Sequence, residues 1–305
     1  MSTATAPAVR PPSNQSSLRH RLAERGVDRT LWLLLPAVAF IVLLFMYPFL
    51  YGLGLSFQPS HGGGIFGNYA AFFSDPYLRN TIWKTLGLGL PAALFNVIAS
   101  IPIAYLMRGK VRGKRLLTTL LVVPITLGTV LTAQGLIMYA GPTGWLNTVL
   151  LDLGIIDEPL TLIHNWIGVF LSLIITGFPF AFLLTLSYIS GIDPALDKAA
   201  ATLGAGPMQR FRTITMPLLA PGLVITFTLS FVLAFSVFPS AQLVGDPTGS
   251  TRVMSIAAYD AAFQQFDFPM GSTMAMIMAV VMLVVIGLVM LWRTTLYRGA
   301  TGGKG

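Results

Sequence analysis

The chain alternates long apolar stretches with short polar ones. A helix that crosses ~30 Å of hydrocarbon takes roughly 20 residues, and on that template six stretches qualify: 31–55, 85–107, 116–139, 166–189, 218–243 and 271–292. None of them holds an Asp, Glu, Lys, Arg or His, a purity that a soluble core helix of that length rarely reaches. The pattern therefore predicts an all-α integral membrane protein with six transmembrane helices over 31–292, flanked by a flexible tail at 1–30 and a short one at 293–305.

The polar segments between the stretches are of two kinds. Two are basic or amphipathic, at 108–115 and 190–217, and three are rich in Gly, Pro and aromatic residues, at 56–84, 140–165 and 244–270. Within 140–165 the run from Gly141 to Gly154 reads as a turn, a short amphipathic helix and a glycine stop. Trp145 can anchor such a helix at a bilayer interface, or Trp145, Asn147 and, in the last loop, Asp246 can form a docking surface for a soluble partner.

Span five sorts its side chains. At about 100° per residue Thr226, Ser230, Ser236 and Ser240 fall on one arc and Phe227, Phe231, Phe235 and Phe238 on the opposite one. Hydroxyls in a span commonly mediate helix packing, and the same arc can line a solute path. Asn96 in span two and Gln134 in span three are read the same way, as interhelical hydrogen-bonders or path residues. Pro36, Pro48, Pro91, Pro102, Pro124 and Pro179 interrupt spans whose freed backbone groups neighbouring helices can satisfy.

Composition agrees with a bilayer as solvent: 54% of the 305 residues are hydrophobic and 10% charged, against about a quarter charged in soluble domains. The net charge of +8 would also suit a nucleic-acid binder, and placement decides between the two. Arg10, Arg19, Arg21, Arg25 and Arg29 precede span one, and Arg108, Lys110, Arg112, Lys114 and Arg115 lie between spans two and three. Lys198, Arg210 and Arg212 lie between spans four and five, and Arg293, Arg298 and Lys304 follow span six. The opposite side keeps Arg79, Lys84 and Arg252. That bias is expected to put both termini in the cytoplasm and to leave no role for nucleic acid. No cleavage pattern follows a short apolar run near the start, so span one is expected to be a retained anchor.

The segment 190–217 carries the most specific pattern. Asp193 suits an N-cap with Pro194 at the first helical position, and Gly204 suits a helix stop. Pro207 can open a second helix, which Pro217 is expected to interrupt before span five. Leu196, Ala199, Ala200 and Leu203 share an apolar, small-sided face on the side assigned to the cytoplasm. Such a face wants a partner, with Met208, Phe211 and Ile214 as larger plugs on the second helix.

At these residues the chain resembles the inner-membrane permeases of binding-protein-dependent ABC importers. Their signature is Glu-Ala-Ala, three residues, Gly, about nine residues, then Ile-x-Leu-Pro. Ala199, Ala200, Gly204, Ile214 and Pro217 match it, Met216 stands for the usual Leu, and Lys198, preceded by Asp197, stands for the usual Glu. The resemblance implies the type I importer permease fold in a multi-pass protein of the cell inner membrane. It also implies that Leu196, Lys198, Ala199, Ala200, Leu203, Gly204, Ala205, Pro207, Phe211, Ile214 and Pro217 form a loop that couples to a separate ATPase. The implied partners are a homodimer of ATP-binding subunits, a second permease subunit, expected to be a paralogue, and a solute-binding protein. ATP and Mg belong to the ATPase, and no cofactor is expected on this chain.

Gly-Trp-Leu-Asn at 144–147, Leu-Val-Gly-Asp-Pro at 243–247 and Asp-Phe-Pro-Met-Gly-Ser at 267–272 resemble the spermidine/putrescine group within that family. Iron, thiamine, phosphonate and opine permeases share the plan, and no carboxylate lies within a span to meet a polycation. Gly109 to Arg115 has the wrong glycine spacing for a phosphate-binding loop and lacks Ser or Thr after Lys114. His20, His61 and His164 lack metal-ligand spacing, and Cys is absent from the sequence. An ion-coupled carrier would call for an ionisable group within the membrane, and an enzyme for convergent acid, base or nucleophile; the spans offer neither.

Overall fold

A computed structural model describes residues 30–60, 64–109 and 113–297. The tail expected at 1–30 up to Arg29, the cations Lys110 and Arg112, His61, and the end from Arg298 onward lie outside the described residues.

All regular structure among the described residues is helical. The chain falls into two units, residues 1–54 and 55–305. Helix α1 (Thr30–Ile41) continues through a π turn (Val42–Met46) into α2 (Tyr47–Ser56). The second unit holds α3 (Gly67–Ser74), α4 (Pro76–Met107), α5 (Lys114–Ala140), α6 (Trp145–Asp152), α7 (Trp166–Ser190), α8 (Pro194–Thr202) and α9 (Pro207–Arg210). After a π turn (Phe211–Thr215) come α10 (Met216–Phe235), α11 (Pro239–Leu243), α12 (Met254–Tyr259), a third π turn (Asp260–Gln264) and α13 (Phe268–Tyr297). Among the described residues, six segments are long and apolar enough to cross a membrane.

Local chemistry sets where the helices start. Asp75, Asn165 and Asp193 each turn a side-chain oxygen to a free backbone N–H of the first turn, at Tyr77, Gly168 and Ala195. Proline follows the cap at Pro76 and Pro194, where its missing N–H costs nothing. The Asp75 cap starts span two at Pro76, ahead of the expected 85. The π turns answer two of the interior prolines. Tyr47 N–H reaches back to Val42 O, and Met216 N–H to Phe211 O, each one residue before a proline. Widening the ladder by one residue absorbs the donor that Pro48 and Pro217 lack. Pro217 therefore does not interrupt the chain, and α9, the π turn and α10 run on as one apolar segment from Pro207 to Phe235.

The second unit is built around α4, α7 and α10, with α5 against α7, and α12 and α13 closing the other side. Close approach relies on small residues, as expected where the solvent is lipid. A Cβ at Gly89 would stand 3.3 Å from the Phe235 backbone, and one at Gly177 2.5 Å from Asn96 Nδ2. Near the end carrying α8, Ala104, Met107, Phe182, Ile189 and Leu219 form one apolar cluster. Leu88, Ala92, Val169, Leu173, Val237 and Ile256 form another toward the far end. Residues such as Leu94, Phe95, Ile98, Leu120 and Leu131 stay exposed on the outside, which suits a bilayer or a neighbouring subunit.

Two expectations about the spans change. Span five does not continue to 243: the helix stops at Phe235, and the chain passes through Ser236 and Val237 before α11 restarts at Pro239. The loop expected over 244–270 is largely helical, since α12 and its π turn pack Met254, Ala257 and Ala261 against Met270, Met274 and Ile277 of α13.

Candidate functional site

The segment between α7 and α10 forms a compact protruding knuckle. Asp193 Oδ1 accepts from Ala195 N–H at 2.8 Å, and α8 ends in a Schellman turn. Ala205 N–H returns to Ala200 O and Gly204 N–H to Ala201 O, both at 3.0 Å, with Gly204 at φ +83°. Glycine alone enters that left-handed conformation without steric cost. The turn throws Leu203 into the open, 89% exposed, and Leu196 and Met208 of the same segment are exposed as well. Lys198, Ala199, Gly204, Pro207 and Pro217 are also exposed, and Ala200, Ala205 and Ile214 half-buried. Phe211 faces inward instead of outward as a plug: its ring meets Tyr105 edge-on at 4.9 Å.

One acid in the knuckle is spoken for. Asp197 Oδ2 accepts from Arg108 Nη2 at 3.1 Å and from Arg210 Nη1 at 3.0 Å. Arg108, at the end of α4, also lies over the Tyr105 ring at 4.3 Å. Sequence reasoning placed Arg108 and Arg210 only as topology-setting charges. Their shared partner is distant in sequence, and no local pattern marks the pair.

The second site is a cavity of about 410 Å³ among α4, α5, α7 and α10. Its wall includes Asn96, Ser230, Ser236 and Ser240, with Thr129 and Thr176. Two breaks open it. The backbone of α5 leaves helical geometry at Gly128, with φ 75° and ψ 172°, and α10 ends at Phe235. Among the described residues, those that line it carry no charge. Asn96 Nδ2 donates to Leu173 O at 3.2 Å, while Asn96 Oδ1 and Ser230 Oγ are buried with no hydrogen-bond partner. Buried polar atoms normally find one, so these two stand out in the cavity wall. Ser240 Oγ accepts from Ser172 Oγ at 2.8 Å.

The two-faced reading of span five gives way to a different geometry. Thr226 is buried away from the cavity and donates to Gly222 O at 3.0 Å. Phe231 and Phe235 are fully buried in the packing against Ala93 instead of forming an outer aromatic face. Gln134 is exposed on α5 and stands outside the cavity.

Of the residues considered for docking, Trp145 is 64% exposed and stacked on Tyr139 at 5.8 Å. Asn147 is buried and fully used: Nδ2 donates to Gly141 O and Leu160 O, and Oδ1 accepts from Leu160 N–H. It pins the loop and offers nothing outward. Asp246 folds its own turn, accepting from Ser250 N–H at 2.8 Å and Gly249 N–H at 3.0 Å. These bonds, led by that from Ser250, hold its carboxyl below the ordinary value of 3.8.

Comparison with known proteins places the chain. The family model described as "Binding-protein-dependent transport system inner membrane component" matches residues 96–298. The spermidine/putrescine transport system permease protein PotB of Haemophilus influenzae is 30% identical over 219 residues, covering 68% of this chain and 76% of that protein. A probable sulfate transport system permease protein of Prototheca wickerhamii is 29% identical over 216 residues, covering 70% and 83%. In fold, the chain is similar to a bacterial ABC transporter involved in the import of the acidic polysaccharide alginate, with a TM-score of 0.75 at 22% identity, over 93% of this chain and 99% of that one. The chain thus belongs to the family of inner-membrane components of binding-protein-dependent transport systems.

Proposed function

We propose that this chain supplies half of the translocation path of an ATP-driven importer and takes its stroke through the knuckle at 190–217. The observation that carries this reading is the exposed apolar tip, with Leu203 held 89% open by the left-handed Gly204 turn. A rigid turn that presents a large apolar side chain to water stabilises nothing within the chain and is the form of a hot spot for a partner. The partner in this reading is an ATP-binding subunit, present as a homodimer and carrying ATP and Mg; this chain binds no cofactor. A second permease, a paralogue of this one, completes the path, and a solute-binding protein delivers the cargo. A solved alginate transporter described with a ligand-bound periplasmic protein supports that assembly by fold.

The solute we favour is small, polar and polyamine-like. The support is the PotB relative together with an uncharged cavity whose wall includes the amide of Asn96 and the hydroxyl residues Thr129, Thr176, Ser230, Ser236 and Ser240, a polar lining that suits an ammonium group in passage. An uncharged wall binds weakly and leaves selection to the delivering protein. The sulfate-type relative at nearly equal identity supports a second reading, in which the same cavity passes an anion to the donor side of Ser230.

Reconstitution of the permease pair, ATPase and binding protein in proteoliposomes tests this. ATP-dependent uptake of radiolabelled spermidine that excess unlabelled sulfate leaves unchanged is the expected result. ATP-dependent uptake of sulfate in its place would establish the second reading. Uptake that needs an ion gradient and no ATPase would overturn both.

A further inference from the structure

The knuckle is covalently continuous with α7 and α10, yet one of its two ion pairs reaches a helix to which it is not joined. Asp197 Oδ2 binds the Arg108 guanidinium at the foot of α4 at 3.1 Å and the Arg210 guanidinium beyond the glycine turn at 3.0 Å. Arg210 Nη1 also reaches the Asp197 carbonyl at 3.4 Å. Around this three-way junction Arg108 lies on the Tyr105 ring, and Tyr105 meets Phe211 edge-on. One carboxylate thus ties both halves of the knuckle to α4.

We propose that Asp197 is a positioning residue through which movement of the knuckle is handed to α4. The proposal rests on the ATPase-coupling reading above. The carboxylate stands one place before Lys198, which is exposed, while the Asp197 side chain is turned inward and 21% exposed. Helix α4 then carries the displacement about 18 Å along its axis, at 1.5 Å per residue, to Asn96, a residue of the cavity wall.

Two features argue that the junction does more than hold the fold. Ion pairs only a fifth to a quarter exposed lose much of their Coulomb attraction to the cost of desolvating the charges, so they are weak evidence for a purely stabilising role. Asp197 Oδ1 and Arg210 Nε are moreover buried without hydrogen-bond partners, a cost that an apolar contact at the same place would avoid. The apolar cluster of Ala104, Met107, Phe182, Ile189 and Leu219 already packs the feet of α4, α7 and α10 together. What the charges add is direction, because both guanidinium groups converge on a single oxygen and fix the knuckle's register against α4.

The test uses the whole complex of permease pair, ATPase and binding protein, with the permease as wild type, Asp197→Asn or Asp197→Glu. Three quantities are read: co-purification of the ATPase, basal ATP hydrolysis, and stimulation of hydrolysis by added binding protein. Asp197→Asn is expected to keep the first two and to lose about tenfold in stimulation, the scale of an ordinary coupling free energy. Asp197→Glu, which restores a carboxylate, is expected to recover most of it. A wild-type response from Asp197→Asn would overturn the proposal. So would loss of the ATPase from that variant, which would make Asp197 a residue of the docking surface, or failure of Asp197→Glu to recover any response. If the wild-type complex itself goes unstimulated, the ATPase-coupling reading fails and the junction falls with it, which separates the two failures.

Discussion

Gly204 shows how much a single torsion carries. At φ +83° an added Cβ would meet nothing within 4 Å, so substitution is opposed by backbone sterics alone, roughly 1–2 kcal/mol for an ordinary L-residue. Gly204→Val is therefore expected to unwind the Schellman turn, withdraw Leu203 and abolish uptake while the binding protein still captures solute. Gly204→Asn, which tolerates the left-handed region, is expected to retain most uptake. Proteoliposome transport beside equilibrium binding to the isolated binding protein measures both, and full uptake by an inserted Val variant would count against the coupling role. Lys198 is the opposite case. It is exposed, and an exposed charge contributes about 1 kcal/mol at most. Lys198→Glu is accordingly expected to leave ATPase association within about fivefold; a larger loss in a pull-down titration would give it a role beyond a weak surface contact.

At the scale of elements, the loop after α11 depends on one ionised group. The Asp246 carboxylate accepts from the backbone N–H groups of Ser250 and Gly249 and holds the 246–251 turn closed. Its pKa in the folded loop lies below the unfolded value of 3.8. The stabilisation is thus complete above 3.8 and is lost as pH falls through the lower folded value. Amide exchange at Gly249 and Ser250 should show protection that is flat near neutrality and falls away below pH 3.8. Asp246→Asn should lack that acid step, and persistence of the step in the variant would assign it elsewhere. Elements of this kind mark where sequence reading stops. Asp193, Pro194 and Gly204 announce α8 because caps and stops are local chemistry, and the six apolar runs announce themselves by length. The end of α10 at Phe235 has a local cause that the long apolar run conceals: Pro239 has no N–H to bond the Phe235 carbonyl and disfavours helix at Phe238, so the chain leaves the helix there and restarts with Pro239 at the first position of α11. Asn147 read as a docking residue because its neighbours Gly144 and Trp145 are surface types, whereas its three hydrogen bonds reach Gly141 and Leu160. The Asp197 junction, joining positions 108, 197 and 210, has no sequence period at all.

At the scale of the whole chain, the cations sort to one set of loops and leave Arg79, Lys84 and Arg252 on the other. Of those three, Arg252 pairs with Asp260 at 3.2 Å and lies over Tyr77, while Lys84 donates to the Gly249 carbonyl and Arg79 to the Phe73 carbonyl. The loops of that second side carry seven acids against those three cations, while the loops bearing Lys114, Arg115, Lys198 and Arg212 keep an excess of positive charge. On a charge imbalance of this kind we propose that the knuckle lies on the cytoplasmic side, where ATP is available to a docked ATPase. The chain contains no cysteine, so single replacements report the orientation directly. Thr202→Cys on the knuckle and Ser250→Cys on the 244–253 loop both sit at exposed positions. In intact cells whose outer barrier admits a membrane-impermeant maleimide, Ser250→Cys is expected to label at once and Thr202→Cys only after the inner membrane is permeabilised. The reverse order would invert the topology, strand the knuckle on the side without ATP and remove the physical basis for coupling through Gly204 and Leu203.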